Sequence, residues 1–218
     1  IIMMIKRSYN CFIFFIIYPL ISISQSLDHQ TWTNFEFTTN TIYNTELSFS
    51  QSFRFIENSK SLSKYFSDLN IKREYNKLFS HSMGYRYLIY RDIDDFEIEK
   101  NHRFYIDAIF KEKLFKRFRA TYRTRLQAQK KPNDIENKIR QRIKFIYNFN
   151  KIDLKLSFSF EGFYLINHYL EKVRYMVGVS KSLNQKTTIN LNYMMQREFN
   201  VDNPDIFFIF RTKVSYSI

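Results

Sequence analysis

Nine arginine and lysine side chains at one parity of three consecutive predicted strands form the most distinctive charged group in the sequence. They are Arg103, Arg117, Arg119, Arg123, Arg125, Lys138, Arg140, Arg142 and Lys144. Guanidinium and ammonium groups bind phosphates and carboxylates, and rings of them favour anionic solutes in pores. Because like charges repel across a sheet, carboxylates or a bound anion must compensate for this cluster.

The sequence permits two interpretations of the cationic cluster. In the first, the cluster belongs to an internal ion-pair network, because buried charges usually pair. The acidic partners would then be Glu46, Asp68, Glu74, Asp107, Asp153 and Glu161. In the second, the cluster lines a pore or pocket for small anionic solutes. We favour the network and retain the anion site as the alternative.

Candidate groups for catalysis and metal binding lack the spacing that these functions need. The Ser-His-Ser sequence at 80–82 is the one close Ser–His pairing, but strand alternation places His81 on the opposite face from both serines. His102 and His168 have no matched serine or aspartate. The acidic segment 92–99 has neither glycine nor EF-hand spacing, so we expect a solvated loop rather than a calcium site. We predict no enzymatic activity, no metal and no cofactor.

The strands that must position the cationic cluster are centred on Asn101–Gln129. Phe104, Ile106 and Ala108 alternate with polar or charged residues, and the alternation resumes after 115–116. A period of two over this length indicates β-strand, because an extended chain points successive side chains to opposite faces. The sequence therefore predicts a long hairpin with one apolar face and one cationic face.

The same alternation predicts nine further strand segments, at 32–39, 43–55, 64–75, 79–91, 137–149, 152–164, 172–183, 187–197 and 206–218. Short connections alternate with longer polar ones, as in outer-membrane barrels. Strands of about ten residues or more also match the length needed to cross a bilayer at a tilt. We therefore predict an all-β, transmembrane, up-and-down antiparallel β-barrel of about 10–12 strands, with twelve preferred because bacterial single-chain barrels have even numbers.

A secreted soluble β-sandwich or lipocalin-like barrel is the alternative fold, since amphipathic alternation suits both. Soluble strands are shorter, and soluble all-β chains use many glycine and proline turns, whereas this chain has three of each. A helical membrane protein is excluded, because no apolar run of about 18 residues occurs beyond the first few dozen.

The N-terminal segment predicts secretion. Lys6 and Arg7 precede the apolar run Cys11–Ile23, which ends in a small-residue cleavage pattern. These features predict a signal peptide over 1–24 and a mature barrel over 25–218. The net charge of +13 is compatible with nucleic acid binding, but secretion argues against that partner. Cys11 is the only cysteine, so no intrachain disulfide forms.

Several short motifs add a family resemblance. They are Trp32-Thr33, the segment 49–55, Gly84-Tyr85-Arg86-Tyr87, Asn101–Tyr105, the segments 117–125 and 137–142, Gln196-Arg197-Glu198 and Asn203-Pro204. Together with the strand pattern they resemble an uncharacterised Bacteroidota family of outer-membrane β-barrels, domain of unknown function 2490. The resemblance covers nearly the whole mature chain. It implies the outer membrane of a Gram-negative bacterium and no particular activity.

We therefore predict a porin-like outer-membrane barrel with a polar, locally cationic lumen, serving structure or passive transport of small anionic solutes. The alternatives are an outer-membrane lipid-modifying enzyme and a secreted soluble β domain that binds an acidic partner. We expect outer-membrane lipid and lipopolysaccharide as partners, with the barrel-assembly machinery during insertion, and no nucleic acid. A monomer is favoured, and the sequence leaves open whether the lumen is open or plugged.

Overall fold

The computed structural model describes residues 28–92, 97–132, 134–150, 152–166, 169–201 and 204–218, which form an all-β barrel. The predicted signal peptide at 1–24 lies outside the described residues. The strands are β1 His29–Thr41, β2 Thr45–Ile56, β3 Ser61–Glu74, β4 Phe79–Arg91, β5 Ile98–Phe115, β6 Phe118–Lys130, β7 Ile135–Phe149, β8 Leu154–Leu165, β9 Leu170–Ser182, β10 Thr187–Glu198 and β11 Ile206–Ser217. Within these ranges no helix is both long enough and apolar enough to cross a membrane.

The sheet closes on itself with eleven strands in the described part of the chain. Each strand pairs antiparallel with the next, and the long β5–β6 hairpin confirms the pairing predicted for Asn101–Gln129. The closing pair, β1 and β11, is parallel, with Thr33 opposite Thr212. The predicted all-β, up-and-down and mainly antiparallel barrel of 10–12 strands is therefore confirmed, while the preference for twelve strands is wrong for the described chain. An antiparallel barrel needs an even number of strands to close. One parallel pair removes this requirement, because it lets an odd number of strands close without leaving an unpaired edge.

The polarity of the two faces of the wall is the reverse of that in a soluble barrel. Large apolar side chains point outward and are exposed, including Phe104 at 60%, Ile106 at 58% and Val177 at 58%. Charged and polar side chains point inward and are buried, including Asp107 at 3% and Arg125 at 7%. Soluble domains instead bury their apolar side chains and leave ionised ones in water. The strand period therefore produces an apolar exterior and a polar interior.

The connections define two ends of the barrel. At the turn end, no connection is longer than four residues, and the hairpin between β5 and β6 turns through 116–117. The opposite end, which we call the loop end, has the two longest connections, 92–97 and 199–205. The predicted alternation of short and long connections is present but smaller than expected, because several strands extend beyond their predicted limits. An odd strand number places the start of β1 at the loop end and the end of β11 at the turn end.

The tight turns and close packing of the wall use few glycines. In the three-residue connection between β1 and β2, Tyr43 and Asn44 adopt positive φ values of 61° and 55°, a left-handed conformation that is uncommon for residues other than glycine. Within β4, Gly84 faces inward, and a Cβ there would overlap the phenol ring of Tyr105. The glycine thus lets Tyr105 lie across the inner wall and reach β3, where its hydroxyl donates to Asp68 over 2.7 Å.

Candidate functional site

The interior of the barrel contains a cavity of about 620 Å³ with a strongly cationic lining. The described lining residues include fifteen arginines and lysines but only seven aspartates and glutamates. A second cavity of about 1010 Å³ at the loop end shares Lys64, Tyr90, Glu99 and Lys131 with the first. The interior space therefore continues toward the loop end, and its lining has an excess of positive charge.

Asp107 holds one part of an ion-pair network on the inner wall. Its carboxylate accepts two hydrogen bonds from Arg125, at 2.6 Å from Nε and 2.7 Å from Nη2. Arg123 lies 3.9 Å from the same carboxylate, and the Ser82 hydroxyl donates to it over 3.2 Å. Asp107 and Arg125 face each other directly across β5 and β6. This bidentate geometry compensates two guanidinium groups with one carboxylate.

Glu161 on β8 holds the adjacent part of the network. One of its oxygens accepts from Arg123 over 2.6 Å and from Arg140 over 2.9 Å. Arg142 and Arg174 are its cross-strand neighbours on β7 and β9. Since the side chain of Glu161 is 9% exposed, its charge is screened little by water. One carboxylate therefore offsets the repulsion among several arginines.

Two further groups of ion pairs lie toward the loop end. Asp68 accepts from Arg86 Nε over 2.6 Å in addition to the Tyr105 hydroxyl. Glu136 contacts Lys131 at 3.0 Å and Lys138 at 2.7 Å. Burial alone would lower the pKa of the Lys131 ammonium, but the hydrogen bond and charge of Glu136 outweigh it and raise that pKa. The ion pair with Glu136 thus holds Lys131, which follows β6, against the lumen wall.

Six lining cations have no carboxylate within 4.0 Å among the described residues: Arg54, Lys64, Arg103, Arg142, Arg174 and Arg211. All six side chains remain partly exposed, whereas the paired Arg123, Arg125 and Arg140 are less than 10% exposed. Since these cations lie inside the wall, the solvent that reaches them is that of the cavity. The lining therefore contains a buried ion-pair network around Asp107 and Glu161, partly exposed ion pairs such as Lys131–Glu136, and six partly exposed cations without a carboxylate partner.

Inward aromatic rings hold several of these cations in place. The guanidinium of Arg54 lies 3.8 Å from the centroid of the Trp32 ring and 5.0 Å from that of Phe66. Arg174 lies 5.1 Å from the Trp32 ring and 4.4 Å from that of Phe163. Stacking on an aromatic face stabilises a cation while leaving the in-plane N–H donors of arginine available. The same tryptophan thus supports two arginines from different strands.

The structure brings together six of the nine predicted cationic residues. Arg103, Arg123, Arg125, Lys138, Arg140 and Arg142 line the cavity. Lys144 faces inward beyond them, where Arg142, Arg211 and Lys213 repel it, but it does not line the cavity.

Arg117 and Arg119 are placed differently from the prediction. Arg117 lies in the two-residue turn between β5 and β6, and Arg119 is exposed beside that turn, so neither contributes to the cavity lining. Alternation predicted the correct side of the strand for Arg119. It could not show that β5 and β6 extend past the cavity to the turn end.

The predicted acidic partners are also divided. Asp68, Asp107 and Glu161 pair with lumen arginines as expected for the network. Glu46 and Glu74 instead pair with Lys72, and Glu74 also contacts Lys111. Asp153 lies exposed in the β7–β8 turn and makes no ion pair within the described residues.

Several lumen residues were not among the predicted site residues. Arg54, Arg86, Arg174 and Arg211 line the cavity from strands outside the β5–β7 group, although each lies at inward parity in its own strand. A search for cations at inward parity on every strand would have found them. The aromatic supports Trp32, Phe66 and Phe163 would not have been found, because a large ring at inward parity contradicts a simple polar-inside pattern.

The candidate histidines His81 and His102 lie on the outer face of the barrel, and His168 lies outside the described residues. His81 stacks on Tyr75 outside the barrel, with ring centroids 5.1 Å apart. His102 also faces outward, and its Nδ1 lies 2.7 Å from the Tyr85 hydroxyl. Among the described residues, no three His, Cys, Asp or Glu side chains are grouped closely enough to hold a metal ion.

The fold and the lining together define a closed β-barrel with an apolar outer wall and a polar, cationic interior. The chain belongs to the family described as protein of unknown function (DUF2490), whose profile matches residues 29–206. The predicted membership of domain of unknown function 2490 is therefore confirmed. No curated protein sequence matches the chain.

Proposed function

We propose that this protein is an outer-membrane β-barrel of a Gram-negative bacterium, of the Bacteroidota, and that its cationic lumen admits small anionic solutes. The observation that carries the proposal is the inside-out distribution of polarity. The outer wall is apolar over its strands, while the described cavity lining has an excess of eight positive charges, fifteen against seven. A bilayer around the wall and an aqueous anion within it satisfy both surfaces.

The apolar exterior supports a membrane rather than water around the barrel. Phe35, Phe49, Leu69, Phe158 and Tyr193 are each 44% or more exposed, and they come from five different strands. Soluble monomers seldom expose large apolar side chains over so much of their surface. Transmembrane barrels carry an apolar band on every strand, alternating with inward polar residues. This pattern disfavours the secreted soluble domain.

The charge of the lumen supports anions as the solutes. Six of the seven carboxylates that line the cavity pair with a described cation, Glu99 accepts a hydrogen bond from Asn101, and six cations remain without a carboxylate in the described structure. Rings of arginine and lysine in a narrow space attract anions and repel cations.

The membrane location is tested first by heat-modifiability. Residues 25–218 are refolded into detergent and run on SDS gels with and without boiling. A closed membrane barrel resists SDS, so the unboiled protein should migrate faster than the boiled one. Identical mobility, together with good solubility in detergent-free buffer, would instead favour a secreted soluble barrel.

The solute class is tested by the reversal potential across a planar bilayer under a KCl gradient. Chloride should permeate better than potassium, and Arg103→Glu should reduce that preference. Arg73→Glu is the matched control, because Arg73 is exposed on the outer face of β3 near Tyr75. Equal selectivity in the wild type and the Arg103 variant would refute an anion pathway along this wall.

A further inference from the structure

We propose that Arg54 and Arg174, supported by Trp32, form a binding site for the phosphate group of a small solute within the lumen. The inference rests on the proposed function, because it names the class of anion that the cationic lumen takes. It depends on four observations: the lack of carboxylate partners, the crowding of like charge, the aromatic supports and the accessibility of the donors.

The first observation is that these arginines have more N–H donors than the described chain supplies acceptors for. The guanidinium of Arg54 donates no hydrogen bond to a described residue, and Arg174 Nε donates to the neutral Gln196 over 2.8 Å. Arginine has five N–H donors and remains protonated in proteins. The carboxylate nearest in register, Glu161 opposite Arg174, is engaged by Arg123 and Arg140. The unused donors therefore require acceptors that the described chain does not supply.

The second observation is mutual repulsion. Arg54 is repelled by Arg174, Arg86 and Arg103, and Arg174 by Arg211 and Arg86. These side chains come from β2, β4, β5, β9 and β11 and converge on one cavity. Their mutual repulsion raises the free energy of the folded barrel, and some other interaction must offset it. A multivalent anion at their centre would offset several repulsions at once.

The third observation is the way in which the two guanidinium groups are held. Trp32 contacts both, while Phe66 and Phe163 support Arg54 and Arg174 from β3 and β8. Water alone would suffice to solvate a flexible surface arginine, so ring supports on both residues indicate that their orientation matters. Stacked guanidinium groups lose less rotamer entropy when they bind a ligand, because the aromatic rings have already restricted them.

The fourth observation is that the donors of both arginines are accessible from the cavity, and this accessibility indicates the chemistry of the ligand. Two planar forks that are both partly exposed to the cavity match an anion that offers more than one pair of oxygens, and a tetrahedral phosphate group can accept a bidentate pair of hydrogen bonds along more than one of its edges. A phosphate monoester is close to a dianion at pH 7, whereas chloride is monovalent and has no oxygen acceptors. The cavity of about 620 Å³ has room for the phosphate and a small organic group attached to it.

The experiment measures binding in detergent, where transport plays no part. The refolded barrel in a zwitterionic detergent is titrated with inorganic phosphate, with glucose 6-phosphate and with sodium chloride at matched ionic strength. Heat is measured by calorimetry, and the emission of Trp32, the single tryptophan, is followed in parallel because Arg54 stacks on it. Inorganic phosphate and the sugar phosphate distinguish a free from an esterified phosphate as the natural ligand.

We expect saturable binding of at least one phosphate compound, with a change in Trp32 emission, and no saturable binding of chloride. Arg54→Gln and Arg174→Gln should each weaken binding about tenfold or more, as expected for a lost hydrogen bond to a charged group. Arg54→Lys should also weaken it, since lysine keeps the charge but not the planar fork. The control Arg73→Gln removes an outer guanidinium 5.5 Å from the Tyr75 ring and should leave the affinity unchanged.

Two results would overturn the phosphate site. One is the absence of saturable phosphate binding by a barrel that is shown to be folded by its heat-modifiability. The other is an equal loss of affinity in Arg73→Gln and Arg54→Gln. Neither result would affect the chloride selectivity measured in bilayers. Conversely, cation selectivity in bilayers would refute the anion pathway and leave phosphate binding in detergent intact, so the two proposals fail separately.

Discussion

Glu161 is the residue whose neutralisation should affect stability most sharply. It accepts hydrogen bonds from Arg123 and Arg140, and all three side chains are about 10% exposed or less. In Glu161→Gln, both guanidinium groups lose their charged acceptor while they remain buried. Removing one partner of a buried ion pair costs about 3–5 kcal/mol. With a urea slope of about 1–3 kcal/mol/M, the unfolding midpoint should fall by at least about 1 M.

The matched comparison is Arg142→Gln on the adjacent strand. Arg142 has no carboxylate within 4.0 Å among the described residues, and Arg123 repels it from the directly opposite position. Removing this charge should leave the midpoint unchanged or raise it. Both variants and the wild type are unfolded by urea in lipid vesicles and followed by tryptophan fluorescence and the gel shift. An unchanged midpoint in Glu161→Gln, or an equal loss in Arg142→Gln, would refute the division into paired and unpaired cations.

Three other variants, one of them a double substitution, test the wall of the barrel. Gly84→Ala should destabilise the barrel by about 1–3 kcal/mol in urea titrations, because the added methyl group overlaps the buried Tyr105 ring; full retention of stability would contradict this packing. Ile106→Arg should cost about 2–4 kcal/mol in vesicles if its outward side chain meets the bilayer midplane. Thr33→Cys with Thr212→Cys should form an intramolecular disulfide, seen as a mobility change on non-reducing gels, since the two residues are register partners in β1 and β11. Failure of this cross-link would indicate that another strand lies between them.

The sequence was sufficient for the architecture because alternation reports directly on which face of a strand each residue occupies. Phe104 and Ile106 were placed outward and Asp107 inward from parity alone, and the structure agrees. Closure was harder to predict. The pairing of β1 with β11 joins residues that are nearly the whole chain apart, and no local pattern distinguishes a parallel seam from a missing twelfth strand.

The site was predicted less completely than the fold. Parity locates a cation inside the barrel but does not give its height along the barrel axis, so Arg119 was grouped with Arg123 although it lies beyond the cavity. Nor does parity show which strands face each other across the lumen. The support of Arg54 and Arg174 by the one ring of Trp32 depends on that tertiary arrangement.

Quenching of the Trp32 fluorescence tests the central claim most directly, because this single tryptophan faces the lumen and is 8% exposed. The barrel in vesicles is exposed to iodide or to caesium, and the quenching by each ion is normalised to its quenching of free N-acetyltryptophanamide. In vesicles of phospholipids with brominated acyl chains, the quenching of Trp32 is compared with that of the single tryptophan in a Trp32→Phe, Phe104→Trp variant. We expect iodide to quench Trp32 more than caesium does, and brominated lipid to quench it far less than the tryptophan at position 104. Stronger quenching by caesium, or strong quenching of Trp32 by the brominated lipid, would contradict an anion-accessible lumen inside an apolar wall.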